Sequence, residues 1–179
     1  MSISMYKASV PRFAHALKNL SGILTKAENY AAARKIDPSV LLGARLFPDM
    51  FEFTRQVRIA CDNAKGAAAR LAGQEVPKYE DTEQSFAELQ QRIAKTIAFI
   101  ESIAADRIDG SEERKVVLTL RGEEVTFNGL QYLTGFALPN FYFHVVTAYD
   151  ILRHIGVPLG KRDYMTGITG GYVRQSTPA

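Results

Sequence analysis

The amino-acid sequence predicts a mainly α fold, a four-helix bundle with a short β-hairpin before the last helix. Three long segments carry apolar side chains every three or four positions, which is the spacing of a buried helix face. A fourth long segment is apolar on every side, and the stretch before it alternates apolar and polar residues as a strand does. The length of 179 residues fits one domain over residues 1–179, with an extended C-terminal tail over 160–179.

The first helix is predicted from about Ser4 to Lys26. Pro11 is tolerated only near a helix start, so we expect the first turn to be separate from the rest. A second apolar stretch follows the helix and ends before Pro38, and residues 37–48 are expected to form a connector. The apolar stripe of the first helix consists of Tyr6, Val10, Phe13, Leu17, Leu20 and Leu24.

The second and third helices are predicted from about Met50 to Ala72 and from about Glu83 to Ala105. Asp49 is expected to cap the start of the second helix, and Gly73 its end. Small residues dominate the buried stripe of the second helix, so a neighbouring helix can approach it closely. That stripe consists of Phe53, Val57, Ala60, Ala64, Ala67 and Leu71.

Residues 114–127 are predicted to form the hairpin, with its turn at residues 121–123. An isolated hairpin is marginally stable, so we expect it to lie against the helices. The fourth helix is expected to begin near Asn128, to be interrupted at Pro139 and to continue to His154. A helix that is apolar all round is typical of a central position or of a subunit interface, and we therefore predict a homodimer.

Composition and charge exclude several classes of protein. The 22 basic and 19 acidic residues are spread along the chain and give a net charge of +3, so we predict no nucleic-acid binding. The single cysteine excludes an internal disulfide and a zinc site made of cysteines. No stretch of 18 apolar residues or signal sequence is present, which predicts a soluble, cytoplasmic protein without a membrane partner. The glycine-rich phosphate-binding motifs and the Gly-x-Ser-x-Gly motif of hydrolases are absent as well.

Polar residues at helical spacing mark one candidate site. His144 lies among apolar residues in the middle of the fourth helix, where its ring must find a partner, and Asn140 shares its face. On the second helix, Asp49, Gln56 and Asn63 recur every seven residues beside the buried stripe. The candidate site is therefore Gln56, Asn140, His144 and Asp49. These residues form either a structural hydrogen-bond network or a pocket for a small molecule, whose identity the sequence does not reveal.

The remaining chemically active residues have structural explanations. His15 is expected at the surface or an interface, and His154 at the negative end of the fourth helix, where a cation is stabilised. Tyr149 and Arg153 face away from the candidate site and are expected at the dimer interface or under the C-terminal tail. Cys61 is expected to be a buried packing residue.

Several of these sequence stretches resemble those of a known superfamily. The run from Asn140 to His144, Arg153 nine residues later and Gln56 on the second helix resemble the DinB/YfiT-like superfamily. Three stretches resemble its branch known as domain of unknown function 1993, namely Pro139–His144, Ile151–His154 and Gly160–Met165.

The resemblance implies a DinB-like four-helix bundle and a divalent-metal site, which relatives build from one histidine on the second helix and a His-x-x-x-His pair on the fourth. On that pattern Asn140 and His144 occupy the positions of the pair, and Gln56 lies near the position of the remaining histidine. Because amides are poor ligands for zinc or nickel, we expect a polar pocket that lacks tight metal binding and no cofactor. The alternative is a divalent metal held by His144 with Asn140 and Gln56, with help from Asp49. The protein would then be a metal-dependent enzyme, a hydrolase or thiol-transferase-like, with His144 as ligand or general base.

Overall fold

Four long helices pack side by side, and shorter elements connect them. The computed structural model describes residues 3–167. The helices are α1 (Met5–Ala8), α2 (Val10–Arg34), α3 (Pro38–Leu42), α4 (Phe53–Leu71), α5 (Phe86–Glu101), α6 (Ala105–Ile108), α7 (Gly129–Gln131), α8 (Leu138–His154) and α9 (Lys161–Tyr164). Helix α2 contacts α5 and α8, and α4 contacts the same two helices. The four long helices therefore form a closed bundle, which confirms the predicted fold class.

The first long helix extends further than predicted. Helices α1 and α2 are separated at Ser9, whose hydroxyl donates to the Met5 carbonyl at 2.6 Å, so the first turn is separate as expected. The predicted end near Lys26 is wrong because Ala27 and Ala31 continue the buried stripe. The helix ends at Arg34, before a left-handed residue.

Helix α4 begins three residues later than predicted. Residues 47–50 form a turn closed by the Met50 N–H and the Phe47 carbonyl at 3.0 Å, so Asp49 lies in this turn and Glu52 occupies the N-cap position. At the other end Gly73 has a φ of +66°, and its N–H donates to the Arg70 carbonyl, as expected of a glycine that terminates a helix. All six residues of the predicted stripe are buried: Phe53, Val57, Ala60, Ala64, Ala67 and Leu71.

Helix α5 is shorter than predicted at both ends. Its N-cap is Ser85, whose hydroxyl accepts a hydrogen bond from the Glu88 N–H at 3.2 Å. The Glu88 carboxylate in turn accepts from the Gln84 N–H at 2.7 Å, which completes a reciprocal cap. Glu83 lies outside the helix because its side chain and carbonyl bind arginines of α4 and α5.

The hairpin forms where it was predicted. Strands β1 (Val116–Leu120) and β2 (Glu123–Phe127) pair antiparallel, with Val116 opposite Phe127. Arg121 and Gly122 form the turn and both have positive φ, the geometry that suits a two-residue hairpin. The Phe127 ring lies 6.2 Å from that of Tyr132, which packs the hairpin against the start of the fourth helix.

The fourth helix passes Pro139 without interruption, which corrects the expectation of a break. Residues Tyr132–Ala137 form a π-helical segment, and the Leu138 N–H bonds to the Leu133 carbonyl five residues back. Pro139 then lies in the first turn of α8, where a proline is well tolerated. The outer face of α8 leaves Phe143 57% and Val146 38% exposed.

The C-terminal segment packs against the bundle. Within the predicted extended tail, Lys161–Tyr164 form the short helix α9, and residues 168–179 lie outside the described residues. The Tyr164 ring lies 6.2 Å from that of Tyr149, which places Tyr149 under this segment. Between residues 3 and 167, no helix has the length and apolar character needed to cross a membrane.

Candidate functional site

Gln56 and His144 meet across the interface between α4 and α8. The His144 Nδ1 lies 2.6 Å from the Gln56 Oε1. The Gln56 Nε2 donates to the Phe51 carbonyl at 3.1 Å, and because a carbonyl only accepts, this bond fixes the orientation of the amide. The Gln56 Oε1 must therefore accept the second bond, so the Nδ1 of His144 carries the ring proton.

Burial keeps the imidazole of His144 neutral. His144 is 8% exposed and Gln56 1% exposed. Desolvation lowers the pKa of His144 to about 4, because a charged ring would lose its hydration without gaining a carboxylate partner. At neutral pH the Nε2 of His144 therefore carries a lone pair and no proton.

Asn140 forms a separate pair one helical turn away. Its Nδ2 donates to the Asn63 Oδ1 at 3.0 Å, and the Asn63 Nδ2 donates to the Ile59 carbonyl at 2.9 Å. Of the four candidate site residues, the structure thus joins Gln56 to His144 and gives Asn140 a partner of its own. Asp49 lies exposed in the turn before α4. Asn63 belonged to the heptad series on the second helix, so the sequence contained a signal for this pair.

This donor set does not fit the metal that the superfamily implies. The available groups are one imidazole and three neutral amides, whereas zinc and nickel prefer imidazole, thiolate and carboxylate ligands. The oxygen of Gln56 already accepts the proton of His144. Within residues 3–167, no group of three or more His, Cys, Asp or Glu residues is placed to hold a metal ion.

A second polar cluster, centred on Arg92, was not predicted from the sequence. Arg92 is 3% exposed, and its guanidinium binds the carboxylates of Asp62 at 3.0 Å, Asp81 at 3.0 Å and Glu83 at 2.8 Å. Glu83 also pairs with Arg58 of α4 at 2.8 Å. These contacts fasten the loop before α5 to both helices. The available signal was the position of Arg92 three residues after Leu89, on the apolar stripe of its helix.

Cys61 is a buried packing residue, as expected. Burial raises the pKa of its thiol to about 12, and neighbouring Thr96 and Arg92 do not offset this effect. Because the thiolate is the nucleophilic form, the cysteine cannot serve as a nucleophile at neutral pH.

The other two histidines lie on different parts of the bundle. His154 is exposed in the last turn of α8, at the position that the helix dipole favours for a cation. His15 is half-buried and lines a cavity between α2 and α8, and its Nε2 lies 3.2 Å from the Nδ2 of Asn19. No sequence pattern predicted this cavity, because it forms where the C-terminal segment packs on the two helices.

The closed bundle with paired polar residues between its second and fourth long helices defines a DinB-like helical protein. The chain is similar to a DinB family member protein from Shewanella denitrificans, whose crystal structure shares 39% sequence identity and a TM-score of 0.81. The match covers 97% of this chain and 95% of that chain. The sequence profile described as Domain of unknown function (DUF1993) matches residues 5–165, so the chain belongs to this family. A search of curated proteins finds no significant match.

Proposed function

We propose that this protein is a metal-independent DinB-like binding module, in which a fixed hydrogen bond occupies the position of the superfamily's metal site. The bond between the Nδ1 of His144 and the Oε1 of Gln56, 2.6 Å long, carries the proposal. It joins α4 to α8 and satisfies two buried polar groups at once. His144 thereby stabilises the bundle instead of holding a metal ion.

Energetics favour this structural role for His144. A typical hydrogen bond contributes about 0.5–1.5 kcal/mol to stability, whereas a buried polar group left without its partner costs about 1–3 kcal/mol. Gln56 is anchored at both ends of its amide, so loss of the imidazole leaves its oxygen without a donor. Removal of His144 therefore destabilises the fold by about 1–3 kcal/mol, the cost of an unsatisfied buried polar group.

One observation favours the alternative, a metal-dependent enzyme of hydrolase or thiol-transferase type. A histidine that binds metal donates its other ring N–H to a carbonyl or carboxylate, as the Nδ1 of His144 does to Gln56. A role as general base is disfavoured, because a catalytic base works best with a pKa near the operating pH and that of His144 is lowered to about 4.

Metal content and stability of the His144→Ala variant test the proposal together. Protein without an affinity tag is purified in chelator-free buffer and analysed by mass spectrometry for zinc, nickel and iron. We expect no stoichiometric metal, and a loss of about 1–3 kcal/mol in the unfolding free energy of His144→Ala. The same loss is expected against wild type that has first been treated with a chelator.

Near-stoichiometric metal that disappears in His144→Ala would contradict the proposal and favour the metal-dependent alternative. Chelation would then lower the stability of the wild type to that of the variant. His154→Ala is the matched control, because His154 is exposed in the last turn of the same helix. It should leave the metal content unchanged and cost less than about 1 kcal/mol of unfolding free energy, the most that an exposed charge at a helix end contributes.

A further inference from the structure

A cavity of about 410 Å³ lies between α2, α8 and the C-terminal segment that begins with α9. Its volume falls in the range of small-molecule pockets, about 300–1,000 Å³. Polar side chains reach it from all three elements: Arg12, His15 and Asn19 from α2, Tyr142 from α8 and Tyr164 from α9.

Asn19 fixes the geometry of one wall of the cavity. It is 5% exposed, and its Nδ2 donates to the Tyr164 carbonyl at 2.8 Å, which settles the orientation of the amide. The same nitrogen lies 3.2 Å from the Nε2 of His15. An amide nitrogen only donates, so this Nε2 accepts and the ring proton of His15 resides on Nδ1. Asn19 thus orients His15 and holds the C-terminal segment in place.

The cavity presents hydrogen-bond donors together with one cation. Burial raises the pKa values of Tyr142 and Tyr164, so both phenols remain protonated and can donate. Arg12 forms no salt bridge with any residue between 3 and 167. Over the same range, no carboxylate lines the cavity. A surrounding of this kind stabilises an anion and gives a cation no partner.

We propose that this cavity binds a small organic carboxylate with an aromatic or aliphatic body. Arg12 pairs with the carboxylate, because a guanidinium matches its two oxygens. The apolar body contacts Pro11, Ala16 and Met165, which lie between the polar groups of the lining. A single guanidinium, without a lysine among the described lining residues, suits a monoanion better than a phosphate dianion.

This site is separate from the Gln56–His144 pair. Tyr142 and His144 are two residues apart on α8, so their side chains project about 200° from each other around the helix. One faces α2 and the other faces α4. The inference therefore does not rest on the proposed function, and a metal at His144 would leave it untouched.

Calorimetric titration of the full chain tests the site, with benzoate and phenylacetate as probes and benzamide as the uncharged isostere. We expect saturable binding of the carboxylates, at least about tenfold tighter than that of benzamide. Arg12→Met should weaken carboxylate binding by about tenfold or more. Arg107→Met is the matched control, since Arg107 is exposed on α6, and it should bind as the wild type does.

Three outcomes with the wild-type protein overturn the proposal. They are the lack of saturable carboxylate binding up to about 10 mM, equal binding of benzamide, and displacement by an equal concentration of inorganic phosphate. Wild-type affinity in Arg12→Met also contradicts it. Arg12 is exposed, so this variant should fold, and its circular dichroism and melting temperature verify that it does. Asn19→Ala provides a second readout, with an affinity loss expected for both carboxylates because the Tyr164 carbonyl, and with it the C-terminal wall of the cavity, is no longer held.

Discussion

His144 is a titratable imidazole that is buried in the folded protein. Its Nδ1–H donates a hydrogen bond to the Gln56 oxygen, and the residue is 8% exposed. A second proton would place a charge between α4 and α8 with no carboxylate to receive it. The fold therefore disfavours protonation of His144, so acid destabilises the folded protein relative to the unfolded chain.

The stability of the protein should fall as the pH decreases through the range set by His144. The folded-state pKa, about 4, lies below the ordinary value of 6.5, so in this range only the unfolded chain takes up the proton. The contribution of the neutral ring is complete above pH 6.5 and is lost progressively toward pH 4. Between these limits we expect a total loss of about 2–3 kcal/mol in the unfolding free energy. Urea unfolding at a series of pH values measures it.

Carboxylates also titrate in the lower part of this range, so the test is the difference between variants. His144→Gln cannot take up a proton, and its stability should depend less steeply on pH than that of the wild type. Equal slopes in the wild type and His144→Gln would show that the ring is not held neutral by the fold.

The start of the fourth helix depends on a close approach between two backbones. A Cβ atom added at Gly129 would lie 1.9 Å from the carbonyl oxygen of Ser111. The Leu130 N–H donates to the next carbonyl, that of Glu112, at 2.9 Å. The loop before the hairpin is thus fastened to the helix after it, and only glycine fits at the contact.

Gly129→Ala should destabilise the protein by about 1–3 kcal/mol, because backbone atoms must shift to relieve the overlap. Gly22 offers a matched control in the middle of α2, where an added Cβ meets nothing within 4 Å. Gly22→Ala should raise the unfolding free energy by about 0.5–1 kcal/mol, since alanine loses less conformational entropy in a helix. Chemical denaturation of both variants compares them, and equal effects would contradict the assigned contact.

The loop before α5 is attached mainly through Arg92. Burial acts to raise the pKa of Glu83, but hydrogen bonds from Arg92, its own backbone and Arg58 outweigh it and hold the pKa below its usual range. Glu83 is therefore ionised in the folded protein, and both arginines compensate its negative charge. The loop adds no helix or strand of its own, yet its Glu83 bonds to Arg58 of α4 and to Arg92 of α5.

Arg92→Ala should lower the unfolding free energy by about 1–3 kcal/mol, because it removes one of the two arginines paired with the half-buried carboxylate of Glu83. Lys18→Ala is the control, since the Lys18–Glu101 pair also joins two long helices but has side chains 59% and 46% exposed. An exposed pair contributes about 0–1 kcal/mol. Urea unfolding at neutral pH measures both variants, and similar losses would refute the role given to Arg92.

The helices and their buried faces could be predicted from the sequence, because the spacing of apolar residues determines them. The ends of the helices were harder to predict, because individual contacts determine them. The buried stripe of α4 follows from the helical period, and the Gln56–His144 bond follows from polar residues at matching levels of two helices. The ends of the helices depend on contacts such as the turn containing Asp49 and the arginines around Glu83. The cavity beside Asn19 was missed because it needs the C-terminal segment, whose position no periodic pattern encodes.

The outer face of α8 leaves large apolar side chains exposed. Phe143 and Val146 lie three residues apart on one side of the helix and remain 57% and 38% exposed. Phe51, 42% exposed before α4, provides the Gln56 side chain with its carbonyl partner. A two-fold symmetric contact would cover such a face with the same face of a second copy, which is the commonest arrangement of homo-oligomers.

The protein should therefore be a homodimer in solution, with a mass of about 40 kDa by light scattering, twice the 19.9 kDa of one chain. Phe143→Glu combined with Val146→Glu should yield a folded monomer. In the dimer, the two new carboxylates of each copy would have to lose their hydration and face the same carboxylates of the second copy. Leu130→Glu is the matched control, since Leu130 is 46% exposed on α7, and it should remain dimeric. A monomeric wild type would refute the dimer. A double variant that stays dimeric would place the interface on another face.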